Sequence, residues 1–335
     1  MEMKRELTRY MRPARVMMLG VAVLSLAGCV KRELEIRPDE GYVEIALDWS
    51  KAQSSRSARY LFYNESGALV KEVSGVTDCF KGTLPVGVYR LIVHNTDAGQ
   101  VDWQGTEQYE STEVFAKETN YSEGHHPAEG VPCIQEPREV FATGGCNESE
   151  TVEVRQRDTT RLSVTPVELT KRVAVRFTVE ANGDASVRSL RGVLGGVSHG
   201  FFPGKGCHNT SSSCAVEFTA APGTKAASDA YTARVNVFGL LATSQSPAGT
   251  NTMHVTLDLD DGSQSTGTFD LTPTLQQLIA ANGGVLPDEI PLDVTLRVQQ
   301  EVGLSATVQP WKNGTGSGDI ETGIEPTREN GLPLE

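Results

Sequence analysis

Apolar residues recur at every second position in four well-separated runs of this chain, and that spacing restricts its fold more than any other feature. Val43, Ile45, Leu47 and Trp49 alternate with Glu44, Ala46 and Asp48. Val173, Val175, Phe177 and Val179 alternate with Ala174, Arg176, Thr178 and Glu180. The pattern returns at Val255, Leu257 and Leu259, and again at Leu292, Val294, Leu296 and Val298. Successive side chains of a strand point to opposite faces, so each run describes a strand with one buried side. Between the runs lie Asn64-Glu65-Ser66-Gly67, Asn182-Gly183-Asp184 and Asp260-Asp261-Gly262-Ser263, which supply Asx turns and residues tolerant of positive φ. One segment reads as a helix: Thr272 as N-cap, Pro273 at the first position, Leu275, Leu278 and Ile279 on one face, and Asn282-Gly283-Gly284 as its end. The expectation is an all-β chain of β-sandwiches with one short helix in the second.

A length of 335 residues suits about two domains. The stretch from Tyr121 to Cys146 reads as an irregular connection, and Arg161 to Glu180 as nearly continuous strand interrupted at Pro166. We therefore expect domains at 29–165 and 166–312, with a boundary near residue 165. Beyond Trp311 a Gly-rich, then polar, run predicts a flexible tail over 313–335.

Residues 1–28 read as a secretory leader, with Lys4, Arg5, Arg9, Arg12 and Arg15 preceding the apolar run from Val16 to Leu26. The run is too short to span a bilayer comfortably. It ends in Leu26-Ala27-Gly28-Cys29, which resembles the bacterial lipobox, where the Cys thiol takes a lipid and becomes the mature N-terminus. Acyl chains contribute about 0.8 kcal/mol per buried CH₂, so several of them anchor a protein without a transmembrane helix. The expected location is the outer membrane, lipid-anchored and facing outward. A formal net charge of −13 argues against nucleic acid as a partner, because phosphate binding needs clustered Lys and Arg. Six cysteines in a chain of this length are too few and too scattered for a disulfide scaffold, and with Cys29 lipidated an odd number remains.

Several constellations invite a catalytic or binding reading. Gly196-Val197-Ser198-His199-Gly200 matches a hydrolase nucleophile elbow, and Asp229 and His254 follow in triad order. The elbow needs a helix directly after the Ser, whereas Phe201-Phe202-Pro203-Gly204-Lys205-Gly206 is loop chemistry. Gly204-Lys205 lacks the Ser/Thr that a phosphate loop uses for magnesium. His125, His126, Cys133 and Cys146 offer imidazole and thiolate, but at no familiar zinc spacing. Cys207 and Cys214 bracket a turn that a disulfide could close. Asp258, Asp260 and Asp261 cluster near Gly262 without the spacing or terminal Glu of an EF-hand, which leaves a hairpin turn. Trp49, Trp103 and Trp311 could stack on sugars if exposed, or close the edges of a sandwich core. No catalytic, cofactor or metal residues are assigned from these patterns.

The lipobox, the strand ending Asp48-Trp49, the Tyr60 to Gly67 segment and the Leu84 to Asn95 segment together resemble the fimbrillin-like lipoproteins of Bacteroidia. Thr165 to Val179, the helix at Thr272 and the closing Leu292 to Trp311 are similar to the second domain of that superfamily. The resemblance implies two tandem transthyretin-like Greek-key β-sandwich domains. It also implies an anchor, tip or accessory subunit of a type V pilus that joins other fimbrial subunits by strand addition and contributes to adhesion to a host or bacterial surface. Strand addition gives affinity through main-chain hydrogen bonds and specificity through alternating side-chain pockets, and it needs no catalytic group. In stalk subunits of that family an Arg-specific protease removes the first strand; Arg56 and Arg59, read here as loop residues, are the candidate cleavage points. A surface glycan-binding lipoprotein is the alternative, with exposed aromatics and loop carboxylates as its site.

Overall fold

The computed structural model describes residues 39–52, 54, 56–123, 130–144, 150–181, 186–223, 230–241, 250–299 and 303–311. The first half contributes β1 (Glu40–Leu47), β2 (Ala58–Tyr63), β3 (Leu69–Val76), β4 (Cys79–Pro85), β5 (Gly87–Asn95), β6 (Val101–Gln104), β7 (Glu113–Ala116), β8 (Glu118–Thr119), β9 (Cys133–Ile134), β10 (Phe141–Ala142), β11 (Glu150–Val154), β12 (Thr159–Val164) and β13 (Val167–Glu168). The second contributes β14 (Lys171–Ala181), β15 (Val187–Ser198), β16 (Gly200–Phe202), β17 (Cys207–His208), β18 (Ser213–Pro222), β19 (Ala230–Val237), β20 (Thr252–Leu259), β21 (Gln264–Asp270), the helix α1 (Thr272–Ala281), β22 (Glu289–Gln299) and β23 (Gly303–Pro310). The chain is all-β apart from that short helix, as the alternation predicts. Among the described residues no helix is long and apolar enough to cross a membrane.

In the first half a three-stranded sheet, β12-β1-β4, faces a larger sheet ordered β13-β10-β5-β2-β3, with β11 also on β5. Val43 and Ile45 of β1 point between them and are fully buried with Tyr60, Phe62, Phe80, Leu84, Leu91 and Val93. The run Tyr60-Leu61-Phe62-Tyr63 does not alternate because both faces of β2 are covered. Tyr60 and Phe62 enter this core, while Leu61 and Tyr63 meet Ile92 and Tyr109 on the other side.

The second half is one continuous path, β21-β20-β15-β18-β19-β14-β22-β23. β14 runs parallel to β22 and antiparallel to β19, just as β1 runs parallel to β12 and antiparallel to β4. α1 buries Thr274, Leu275 and Ile279. The cap differs from the sequence expectation: the N-cap is Leu271, without a side-chain cap bond, because Asp270 Oδ1 accepts the Thr272 N–H at 2.9 Å and the Thr272 hydroxyl accepts from Asn251 N. Gly283 and Gly284, at φ 69° and 90°, end the helix, and the Gly284 N–H reaches the Ile279 carbonyl at 2.8 Å.

Packing does not follow chain order. Val101, Val114, Ala116, Ile134, Val140 and Ala142 come from the first half but belong to the core cluster of the second. Their strands also pair across: β7 with β16 (Gly200 opposite Phe115, Phe201 opposite Val114), and β9 with β18 (Ala215 opposite Cys133, Val216 opposite Ile134). The two halves are thus joined by main-chain ladders as well as by the chain itself.

Candidate functional site

Cys29, His125, His126, Cys146, Asp229 and the 313–335 tail lie outside the described residues. Ser198 is fully buried at the end of β15, its hydroxyl within hydrogen-bond distance of the carbonyls of Asn209 (2.6 Å) and Gly200 (2.9 Å). His254 sits opposite Val193, five residues back along β15 and so about 16 Å from Ser198. Its Nδ1 pairs with Thr268. Ser198 and His254 do not meet.

The glycines that made the elbow pattern have packing causes. Gly196, at φ 75°, forms the bulge between Gly195 and Val197, where a Cβ would come within 2.2 Å of the Thr250 carbonyl. Gly200 lets β7 approach, since a Cβ there would lie 2.5 Å from the Val114 carbonyl.

The Gly204-Lys205-Gly206 turn spends its amides internally, Lys205 N and Gly206 N both donating to the Phe202 carbonyl. Asp261 accepts from Ser263 N and Oγ, Asp260 from Ser186, and Asp258 from Ser189 and Gln264. The three carboxylates serve separate contacts, Asp261 within the β20–β21 turn, Asp260 to the residue just before β15, and Asp258 to both β15 and β21. Among the described residues no His, Cys, Asp or Glu cluster could hold a metal ion.

Cys207 and Cys214 are free thiols, as are Cys79 and Cys133. Cys214 lies in the core with Val216 and Ile134, whereas Cys133, one residue before Ile134, faces the opposite side of the sheet. Burial pushes both the Cys133 and the Cys214 thiol up to about 11.

Trp49 is buried and donates its indole N–H to the Thr77 carbonyl at 2.7 Å. Trp311 is buried beneath the Arg176 guanidinium, 4.3 Å from the ring centroid. Trp103 stacks on His94 at 3.7 Å. All three indoles therefore face protein. An open cleft of about 370 Å³ lies near Lys51, Glu168, Thr170 and Asp288, and two of its acids are already engaged: Lys171 Nζ meets Asp288 at 2.9 Å, and Thr170 donates to Glu168.

The candidate cleavage residues are more ordered than a polar loop implies. Arg59 is a correction to the sequence reading: it is the second residue of β2, paired on both sides with β3 and β5, and its guanidinium meets Glu72 at 2.9 Å. Arg56 precedes that strand with only 10% of its side chain exposed. Its Nη1 meets Glu139 at 2.9 Å and Asp97 at 3.3 Å, and its guanidinium lies over the Phe141 ring. The bond to Glu139 raises its already high pKa further against the opposing cost of burial. Asn95 binds the same acids, donating to Asp97 (2.6 Å) and to the Glu139 carbonyl (2.8 Å) and accepting the Phe141 N–H. A second polar group lies where the halves join: Glu113, 4% exposed, accepts from Gln104 and Asn209, each at 2.7 Å. Sequence reading singled out neither group, since their members lie far apart in the chain and carry no local pattern.

β1 itself lies in a slot between two strands. Between antiparallel β4 and parallel β12 it offers paired registers on both edges, and Val43 and Ile45 fill its inward pockets. Glu44, half-buried, meets Lys81 at 2.5 Å and Arg161 at 3.3 Å, one on each neighbouring strand, and the Lys81 bond holds its carboxyl below the usual range.

The fold has solved relatives. A Bacteroides ovatus protein described as an adhesin matches with a TM-score of 0.51 and 20% identity over 82% of this chain and 94% of that one. A Bacteroides thetaiotaomicron protein described as polysaccharide-binding matches with a TM-score of 0.51 and 10% identity over 82% and 99%. A second Bacteroides ovatus protein described as an adhesin gives 0.51, 12%, 84% and 97%. These likenesses bear out, for the fold, the resemblance to the fimbrillin-like lipoproteins of Bacteroidia. A search of curated proteins finds no match. The family model described as a domain of unknown function (DUF5119) matches residues 28–219, more than half of the chain, and the chain belongs to that family.

Proposed function

We propose that the chain is a structural subunit of the cell surface, held in the outer membrane by lipid on Cys29, which contributes to adhesion as the anchor, tip or accessory subunit of a type V pilus-like fimbria and assembles by β-strand addition. The observation that carries this reading is the fold held in common with Bacteroides proteins described as adhesins. The slot of β1 supports it, because a strand flanked on both edges and keyed by alternate apolar residues is the element that strand addition exchanges. Cleavage at Arg56 or Arg59 would require local opening first, which favours a chain that keeps its lipidated N-terminus.

The test is gentle shearing of native cells, followed by immunoblots of unboiled and boiled surface fractions. A ladder that collapses on boiling supports strand-exchanged assembly, and N-terminal sequencing of the monomer then separates an anchor from a processed subunit. A lone membrane-bound monomer overturns the polymer reading. A second reading, surface glycan binding, draws on the relative described as polysaccharide-binding. Titration with a panel of polysaccharides separates the two, and the inward-facing indoles predict no binding by aromatic stacking.

A further inference from the structure

The end of the molecule where the chain enters β1 carries two exposed valines, Val86 and Val88, and an exposed arginine, Arg157. The Asp39 carbonyl accepts the Val86 N–H at 2.9 Å, and the Glu40 carbonyl accepts the Arg157 N–H at 3.1 Å. Two turns therefore flank the entry point: the β4–β5 turn with Val86, followed by Val88 at the start of β5, and the β11–β12 turn with Arg157. Val86 is 49% exposed and Val88 38%, which places them among the few large apolar side chains left open.

Arg157 is exposed and held at φ 54°, a conformation that costs a side-chain-bearing residue energy and would cost Gly none. Among the described residues its guanidinium makes no ion pair, whereas neighbouring Arg155 is taken by Glu153 at 3.0 Å. A strained turn whose arginine is paired by no described residue leaves that guanidinium open to a ligand.

The charge of this end narrows what that is. Asp39, Glu40, Glu153 and Asp158 share it, so no positive field draws in a strongly anionic surface. Glu153 is engaged by Arg155, and Asp158 accepts the Thr159 N–H at 2.7 Å. Two exposed valines beside a guanidinium that no described residue pairs suit a zwitterionic phospholipid surface: the valines reach the interfacial zone, and the planar guanidinium matches a phosphate.

The position of the chain entry argues for the same occupant. From Cys29 to Asp39 the chain spans at most about 35 Å when fully extended. A lipid on Cys29 keeps this end within reach of the bilayer, and tethering raises the effective concentration to the order of mM, so a weak contact becomes populated. We propose that this end of the first half rests on the bilayer, with Val86 and Val88 at the interface and Arg157 on a lipid phosphate. This rests on lipid attachment at Cys29.

The test uses the full lipidated chain carrying Val86→Trp, in phosphatidylcholine vesicles with and without brominated acyl chains. Flotation with the vesicles reports the anchor, and quenching reports the contact. Trp49, Trp103 and Trp311 give a common background in every sample. Val86→Trp should be quenched by brominated lipid well beyond the native chain and beyond Val285→Trp, a 63%-exposed position after α1. Adding Arg157→Gly should weaken that quenching while raising Tm, since the turn strain is relieved; a purely structural role for Arg157 would not divide the two readouts this way. A floating protein whose Val86→Trp is quenched no more than Val285→Trp overturns the bilayer contact and leaves the anchor standing. A protein that fails to float overturns both.

Discussion

His94 makes the junction between the two halves sensitive to acid. Its ring is 2% exposed on β5 and stacks on Trp103 of β6 at 3.7 Å, with Nδ1 on the Asn95 carbonyl at 2.8 Å and Nε2 buried without a partner. Burial disfavours the charged ring, and the Arg59 guanidinium adds to this, so the pKa falls from 6.5 to about 4 despite the bond to Asn95. The unfolded chain then binds a proton that the folded one refuses. Stability is fully present above pH 6.5 and falls as pH drops toward 4. At about 1.36 kcal/mol per pKa unit the whole effect approaches about 3 kcal/mol, of which about 2 kcal/mol is lost between pH 7 and pH 5. Urea denaturation at those two pH values measures it directly. His208, whose pKa is also lowered by burial, adds loss of the same sign. His94→Phe keeps an aromatic ring against Trp103 but cannot titrate, so its difference between pH 7 and pH 5 should shrink by about 2 kcal/mol relative to the native chain. Parallel pH profiles for the two proteins would refute the assignment to His94.

Other perturbations address the β1 slot, the cleavage residues, the thiols and the junction. Ile45→Ala, at a fully buried position, should cost about 2–5 kcal/mol in urea denaturation, whereas exposed Ala46→Ser should change stability little. Limited digestion with an Arg-specific protease, read by N-terminal sequencing, should spare the bonds after Arg56 and Arg59; Asp97→Asn with Glu139→Gln should make the Arg56 bond cleavable. Alkylation at pH 7 mapped by mass spectrometry should label Cys79 and Cys207 well before Cys133 and Cys214, whose thiols titrate near 11. Glu113→Ala leaves the Gln104 and Asn209 amides short of their acceptor and should cost about 1–3 kcal/mol, while Glu113→Gln should cost less.

The sequence makes legible the strands that have one wet face. Val43 and Ile45, and Val173 to Val179, stand out because most residues between them touch water; Ala174, buried against Trp311, is an exception. β2 gives no alternation, since both of its faces are covered. The strands that join the halves are shorter still: β7 has four residues and β9 two, and a run that brief has no measurable period. Their partners in β16 and β18 lie far along the chain, which local pattern cannot report. The same remoteness hides Arg56, Asp97 and Glu139, each of which reads alone as a solvated charge. The Gly-x-Ser-x-Gly pattern misleads for a related reason: glycine marks close backbone approach, and the bulge at Gly196 and the β7 contact at Gly200 supply one without any chemistry.

The paired junction bears on the proposed role. Tandem domains joined by a linker move relative to one another unless their interface is large and apolar. Here β7–β16 and β9–β18 each pair two residues across the join, and Val101, Val114, Ile134 and Val140 complete the second core. A hinge would have to break main-chain hydrogen bonds and expose that core at once. In a chain tethered through its N-terminus, any pull arrives first at β1. Along the strand axis that pull loads the β1–β4 and β1–β12 ladders in shear, where the bonds share the load instead of opening one at a time. The slot of β1 is therefore the element through which a chain tethered at its N-terminus would pass force to the rest of the fold.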